Sequence, residues 1–480
     1  MARLRILFAV SECFPFAKTG GLGDVAGALP IALAARRHDV RVVMPRYPMT
    51  AKRPATRLPG PLGVPAPYGG EAWCAVWQSE LPGKVPVYLL EHEQLFNRDG
   101  VYGDKYGEFG DNLARYAFLS RGSLALCRYL SWIPDVIHVH DWPTSLVPTY
   151  LDTVERHTPL GRIATVLSVH NMGYQGLFAQ REVATTGVPE AAWGGLEWNG
   201  TLNLLKAGLE RATAVSTVSP TYAREIQSPE GAAGLAPILA ARGDRVVGIL
   251  NGVDDVAWDP RHDPHIAAPF SAEDLSGKVA CKAALQKEMG LPVEPDVPLL
   301  GIVSRLAHQK GIDVLAAAMP RILDLGVQVV ALGSGETWAE TCFRKLAAST
   351  PRFRAHLGMN EGLAHRIEAG SDLFLMPSRY EPCGLNQLYS QRYGTLPVVR
   401  AVGGLEDTVD HDVTGFKFGT LDEAALFGAV AWAVHVFREE PAKFRQMQWN
   451  AMQKPMGWSH AVRPYEALYR YAVGRRRAGL

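Results

Sequence analysis

Two patterns alternate along the chain: short apolar runs of strand length and longer stretches in which small and apolar residues recur at helical spacing. In the first half the apolar runs predict strands over residues 4–10, 40–44, 85–90, 135–139, 163–169 and 214–217. Helical patterns follow several of them, over about 25–36, 144–156 and 220–226. The second half restarts the rhythm, with strands expected over 299–303, 328–332, 373–376 and 396–399. Strand and helix in strict alternation predict parallel sheets with helices on both faces. Residues 246–269 carry Asn251-Gly252, Pro260, Pro264 and Pro269, a turn-rich stretch where the chain passes from one domain to the next. The expected architecture is therefore α/β, two doubly wound domains facing each other across a cleft. The first covers residues 1–247 and the second 248–456. Residues 457–480, after the break at Pro455-Met456-Gly457, form a terminal helix packing back on the first domain and ending in the basic run Arg475-Arg476-Arg477.

Composition narrows the class of function without choosing one. A chain of 480 residues exceeds one compact core, and 49 basic against 48 acidic residues leave a net charge of +1. That balance points to neither a nucleic-acid nor a membrane partner. The apolar start runs straight into Ser11 and Glu12, so it reads as a first strand rather than a secretion signal. Six scattered cysteines with no CxxC pair argue against a zinc site and a disulfide framework, and the expected home is the cytoplasm.

Candidate chemistry gathers where strands end. Residues 18–24, Lys-Thr-Gly-Gly-Leu-Gly-Asp, place a cation, backbone amides without side chains and a carboxylate in one loop after the first strand, a setting for an anionic, sugar-bearing ligand. Gly21, Gly23 and Ala26 also fit the G-x-G-x-x-A of dinucleotide-binding proteins. The ten residues between strand and glycines, and the missing acid after the second strand, count against that reading. In the second half Arg305 and Lys310 follow a strand and supply a guanidinium fork and a mobile charge for a diphosphate, with no metal required. Glu381 precedes a helix whose first amides, those of Gly384, Leu385 and Asn386, suit a phosphate. Cys383 reads more readily as a small packing residue than as a nucleophile, because no histidine companion stands near it. His138 and His140 share a strand face, but a third metal ligand is missing. His170 and Asp141 reach the same sheet rim as Lys18. Asp410-His411-Asp412 matches the D-x-D of metal-dependent sugar transferases but lies in what reads as a surface turn.

Taken in order, Lys18-Thr19-Gly20-Gly21-Leu22 with Asp24, His140-Asp141-Trp142, His170-Asn171 with Tyr174-Gln175-Gly176, Asn251-Gly252-Val253-Asp254, Ser304-Arg305-Leu306 with Gln309-Lys310-Gly311, and Glu381-Pro382-Cys383-Gly384-Leu385 resemble the bacterial glycogen synthases and plant starch synthases. The resemblance implies a GT-B fold and transfer of glucose from ADP-glucose to the non-reducing end of an α-1,4-glucan, with retention of configuration and no cofactor. It gives the diphosphate to Lys18, Arg305 and Lys310, with amides from Gly21, Gly384 and Leu385. It lines the glucose with His170 and Glu381, has Asp141 position His170 or a sugar hydroxyl, and has Asn251 hold the donor. Gly20, Asp24, Asn171, Cys383 and Asn386 complete the expected binding surface. The chain departs from the family pattern at Pro143, where a histidine is frequent, at Asn386 and Val402, where threonines are common, and at Met359, where an aromatic often lies near the base. Two rival functions share these residues: another retaining nucleotide-sugar transferase with a small or phosphorylated acceptor, and a glucan-binding protein without turnover.

Overall fold

A computed structural model describes residues 3–243 and 246–479; residues 1, 2, 244, 245 and 480, the last being the end of the expected terminal helix, lie outside the described part. The chain divides into two compact units. One comprises Met1–Val218, Ala223–Ile249 and Trp458–Leu480; the other comprises Ser219–Tyr222 and Leu250–Gly457.

The first unit is built on a ten-stranded sheet. Arg5–Ala9 lies near its middle, pairing in parallel with Asp39–Pro45 on one side and Val136–His140 on the other. From Asp39–Pro45 the sheet runs out through parallel Val85–Glu91 to an antiparallel edge of Glu71–Leu81, Thr56–Arg57 and Leu62–Pro65. From Val136–His140 it runs the other way through Ala164–Val169, Ala214–Thr217 and Val246–Gly248, all parallel. Winding out one side and returning to the other puts the switch point between Arg5–Ala9 and Val136–His140. The antiparallel edge is the part that strand-helix alternation did not predict, since hairpin strands need no helix between them.

The second unit carries six parallel strands in the order Phe353–Leu357, Gln328–Gly333, Leu299–Val303, Leu373–Met376, Leu396–Arg400, Phe416–Phe418. Alternate residues of its strands enter two different cores. Leu300, Ile302, Val329, Ala331, Leu373, Leu375 and Val398 belong to one cluster. Leu299, Val330, Leu332, Phe374, Met376 and Val399 belong to the other. Burial on both faces explains why these strands read as unbroken apolar runs. Here the switch point lies between Leu299–Val303 and Leu373–Met376.

The terminal helix, Trp458–Arg477, belongs to the first unit. Glu466 accepts from Arg36 at 2.8 Å and bonds His38 at 2.9 Å, and Arg476 reaches Asp152 at 2.8 Å. The basic run is thus partly engaged, because Arg476 also donates to the Gly161 carbonyl at 2.7 Å.

Candidate active site

In the first unit the loop after Arg5–Ala9 is organised from below by a side chain that no sequence motif marks. Glu12 is buried, and its carboxylate accepts from the Thr19 amide, from Thr19 Oγ1 at 3.0 Å and from the Gly20 amide at 3.3 Å. Burial raises its pKa above the usual carboxylate range, and the bonds from Thr19, Gly20 and Tyr102 offset part of that. The helix begins at Gly21, four residues before the position the apolar pattern suggests, because small residues extend the first turn. The loop is therefore not wholly a run of open amides. Gly20 N–H is directed at Glu12, whereas Gly21 and Leu22 open the helix, where amides have no partner inside it. Gly27 permits the close approach that holds the loop down, since a Cβ there would stand 2.4 Å from the Phe14 carbonyl oxygen. Lys18 is exposed and pairs with Asp24 at 2.6 Å.

On the adjacent strand, Val136–His140 ends in Asp141, a non-glycine residue at φ +50°. Strained backbone of this kind persists where surrounding bonds enforce it. Asp141 Oδ1 accepts from the His170 amide at 2.7 Å, and the Asn171 amide bonds the same carboxylate. Burial pushes the Asp141 carboxyl up to about 7 against the lowering effect of those two amides. Asp141 thus meets His170 at its backbone amide. The ring instead meets His140, with His170 Nε2 and His140 Nδ1 3.0 Å apart. Burial holds the His170 imidazole down at about 4, so it is neutral at pH 7. The Asn171 side chain is taken up locally, its Oδ1 accepting from Gly173 N–H at 2.8 Å. His138 bonds Ser168 Oγ at 2.7 Å and Tyr469 at 2.8 Å. Among the described residues no group of three histidines, cysteines or carboxylates is arranged to hold a metal ion.

In the second unit two loops from neighbouring strands are zipped together. The Arg379 amide donates to the Gln309 carbonyl at 2.8 Å, and its guanidinium takes both Asp313 oxygens at 2.6 Å and the His308 carbonyl at 2.7 Å. Gly311, at φ +67°, passes so close that a Cβ would lie 1.9 Å from the Pro377 carbonyl oxygen. This frame sets Lys310 Nζ 2.6 Å from Glu381 Oε2, which also accepts from Ser378 Oγ at 2.9 Å. Arg305 stays exposed, touching Gln309 Oε1 at 3.1 Å.

Around them, Cys383 is buried and its thiol is pushed up to about 12 by desolvation, so it is protonated at pH 7 and no nucleophile. Its sulfur takes a bond from the Asn251 amide, and Gly404 packs so tightly that a Cβ would stand 2.1 Å from the Cys383 carbonyl oxygen. Asn251 Oδ1 is buried without a protein partner. The Asn386 side chain donates to the Val303 carbonyl at 2.5 Å, tying its helix to the strand before Arg305. Leu385 caps that helix, and Gly384 takes φ +71° beside it. Asp410 and Asp412 are held by Lys454 at 2.6 Å and Trp432 at 2.8 Å, so the D-x-D pair serves the surface turn that contains it. Met359 is almost wholly exposed.

Each unit therefore brings cations and carboxylates to the carboxyl edge of its own sheet, at its own switch point. Two such doubly wound units are the makeup of the GT-B glycosyltransferases. Residues 5–241 match the starch synthase catalytic domain and residues 297–435 the glycosyl transferases group 1. Glycogen synthase 1 of Geobacter sulfurreducens is 49% identical over 99% of this chain and 98% of its own length. A glycogen synthase of Anaeromyxobacter dehalogenans is also 49% identical, over 98% of this chain and 100% of its own. The catalytic domain of starch synthase IV from Arabidopsis thaliana, solved bound to ADP and acarbose, superposes with a TM-score of 0.91 at 32% identity, over 99% of this chain and 100% of that one. The chain belongs to the glycogen and starch synthase family. A sucrose-phosphate synthase from Thermosynechococcus elongatus shares the fold, with a TM-score of 0.61 at 18% identity over 98% of each chain.

Proposed function

We propose that this protein is a glycogen synthase, moving glucose from ADP-glucose to the non-reducing end of an α-1,4-glucan in the cytoplasm. The observation that carries the reading is the set Lys310, Glu381 and Arg305 at a switch point of a chain 49% identical, end to end, to glycogen synthases. Departure of a nucleoside diphosphate concentrates negative charge, and preset cations stabilise that charge without reorganising as it forms. Lys18, Arg305 and Lys310 serve the diphosphate, with amides of Gly21, Gly384 and Leu385. Glu381 and His170 take sugar hydroxyls, and Asn251 offers its unpartnered carbonyl oxygen to the donor. With Cys383 protonated, the acceptor hydroxyl attacks on the face the phosphate leaves, and the departing phosphate oxygen takes its proton. Configuration is then retained. No described helix is long and apolar enough to cross a membrane, in keeping with a glucan acceptor in water.

The test is direct. Labelled ADP-glucose and UDP-glucose are each incubated with glycogen, maltose and glucose 1-phosphate. Transfer from ADP-glucose to glycogen is expected. Transfer only to a small or phosphorylated acceptor makes the protein a different transferase, and tight glycogen binding with no transfer makes it a binding protein.

A further inference from the structure

His140 lies under the site without reaching its surface, and its ring is fixed more firmly than a packing residue needs. Its own amide donates to Thr144 Oγ1 at 2.7 Å, and the same hydroxyl returns a bond to the His140 carbonyl at 3.1 Å. The ring stacks on Phe8 at 5.6 Å between centroids and lies 4.0 Å from His138. Only Nδ1 finds a polar partner, His170 Nε2; His140 Nε2 is buried and bonds nothing. Both rings are kept neutral by burial, so one of the two facing nitrogens, and not both, carries the shared proton. If that proton sat on His170 Nε2, His140 would carry its own on Nε2, a buried N–H with no acceptor. With the proton on His140 Nδ1, only a lone pair is left facing apolar surroundings, and orphaned donors are the rarer of the two in native proteins.

We propose that His140 is a positioning residue that fixes the tautomer of His170, donating from Nδ1 to His170 Nε2 and so leaving His170 with its proton on Nδ1. Asp141 holds the His170 backbone and His140 its ring, so each has one degree of freedom to fix. His170 then meets a ligand as a neutral donor. It suits an acceptor lone pair, such as the oxygen of a sugar hydroxyl, and is unsuited to removing a proton. The use made of that donor rests on the glucosyltransferase reading; the tautomer does not.

The deciding measurement is therefore made on the unmodified enzyme, with side-chain 15N-labelled histidine and His170 assigned by its loss in His170→Gln. An Nδ1-protonated, Nε2-bare His170 at pH 7.5 is expected; the opposite pattern overturns the proposal. His140→Asn, whose side-chain amide can replace the Nδ1–H donor, is expected to keep that pattern and to hold kcat within about fivefold. His140→Leu, shown to be folded by circular dichroism, should mix the tautomers and lower kcat at least about tenfold with donor KM within about threefold. An unchanged His170 spectrum in His140→Leu would sink the assignment. If the wild-type enzyme transfers no glucose at all, the glucosyltransferase reading fails while the labelling result still stands.

Discussion

Glu381 and Lys310 show how much a single pair of side chains carries here. In their 2.6 Å contact the Glu381 side chain is only 7% exposed and the Lys310 side chain 19% exposed. Removing one partner of such a pair strands the other, at a cost of about 3 kcal/mol when both are buried and less where one still meets water. Lys310→Ala should therefore lose about 1–3 kcal/mol in a denaturant titration, and Lys310→Met with Glu381→Gln should recover part of it. Activity tells a separate story. Arg305→Ala, Lys310→Ala and Glu381→Ala should each lower transfer by at least roughly a hundredfold in protein that remains folded, and a rate within a few fold of wild type would remove that residue from the mechanism. Asp141 supplies a pH signature. Its carboxyl is raised to about 7, so between about pH 4 and 7 the folded chain keeps a proton that the unfolded chain has lost. Stability tied to this group is therefore full at low pH and declines as pH rises toward 7. A shift of that size is worth about 4 kcal/mol if fully expressed, and the partial exposure of Asp141 lowers this to about 2. Asp141→Asn, which can still accept from the His170 and Asn171 amides, should raise the melting temperature at pH 8 and leave it nearly unchanged at pH 4. The charged residues were legible in sequence because each follows a strand. Glu12 and Tyr469 were not, since their partners lie 7 to 331 positions away and no local pattern marks them; His140 was marked by its strand face, but its bond to His170 was not.

At the scale of the element, most parallel strands were legible because burial on both faces writes a continuous apolar run, and their ends fall within a residue or so of expectation, as with Leu299–Val303 and Leu373–Met376. The three-residue strands Val246–Gly248, at the start of the stretch expected to be all turns, and Phe416–Phe418 are too short to write such a run. Phe353–Leu357 escaped notice because arginine and histidine interrupt its pattern at an outer edge of the sheet. The 18-residue helix Asn112–Tyr129 escaped for the opposite reason: it is buried almost all round, including Arg115, and shows no polar face. The two loops that carry the second unit's charges depend on backbone proximity more than on any side chain. At Gly311 both constraints coincide, a left-handed φ of +67° and a carbonyl oxygen 1.9 Å from where a Cβ would be. Pro377 is backbone and cannot swing aside, so Gly311→Ala must spread the loops that hold Lys310 against Glu381. A loss of about 2–4 kcal/mol and a fall in activity beyond that of a neutral surface change are expected. Gly428→Ala, on a helix with open space around it, is the matching control and should be silent or slightly stabilising. Equal melting temperatures for the two variants would show that the loops have slack.

The whole molecule is not two successive halves of the sequence, because its last helix belongs to the first unit. Turn signals at Pro455 and Gly457 place the break and lead to the expectation of a helix packing back on the first domain; the fold adds which of its residues lie against the opening sheet. Trp458, Val462, Tyr465, Leu468, Tyr469, Ala472 and Val473 are buried along that helix. At about 1.5–3 kcal/mol for each large apolar side chain, their combined contribution is comparable with the entire stability of an ordinary domain. Polar contacts add specificity to that burial. Tyr469 bonds His138 on the strand that leads to Asp141, and His138 bonds Ser168 beneath His170. A chain ended after Gly457 leaves the His138 ring and an apolar sheet face in water, 331 positions from the partner it has lost. Such a chain should express as aggregate, or as a species whose first unit is rapidly proteolysed while fragments from residues 250–457 persist. Adding residues 458–480 as a separate peptide should restore protection to peptides covering 136–140 and 164–169 in hydrogen exchange. Wild-type exchange rates in the truncated chain at those strands would mean that the helix is an ornament on a sheet already complete. Tyr469→Phe separates the two contributions: it keeps the packing and removes one hydrogen bond, so it should cost only about 1 kcal/mol and leave the strands protected.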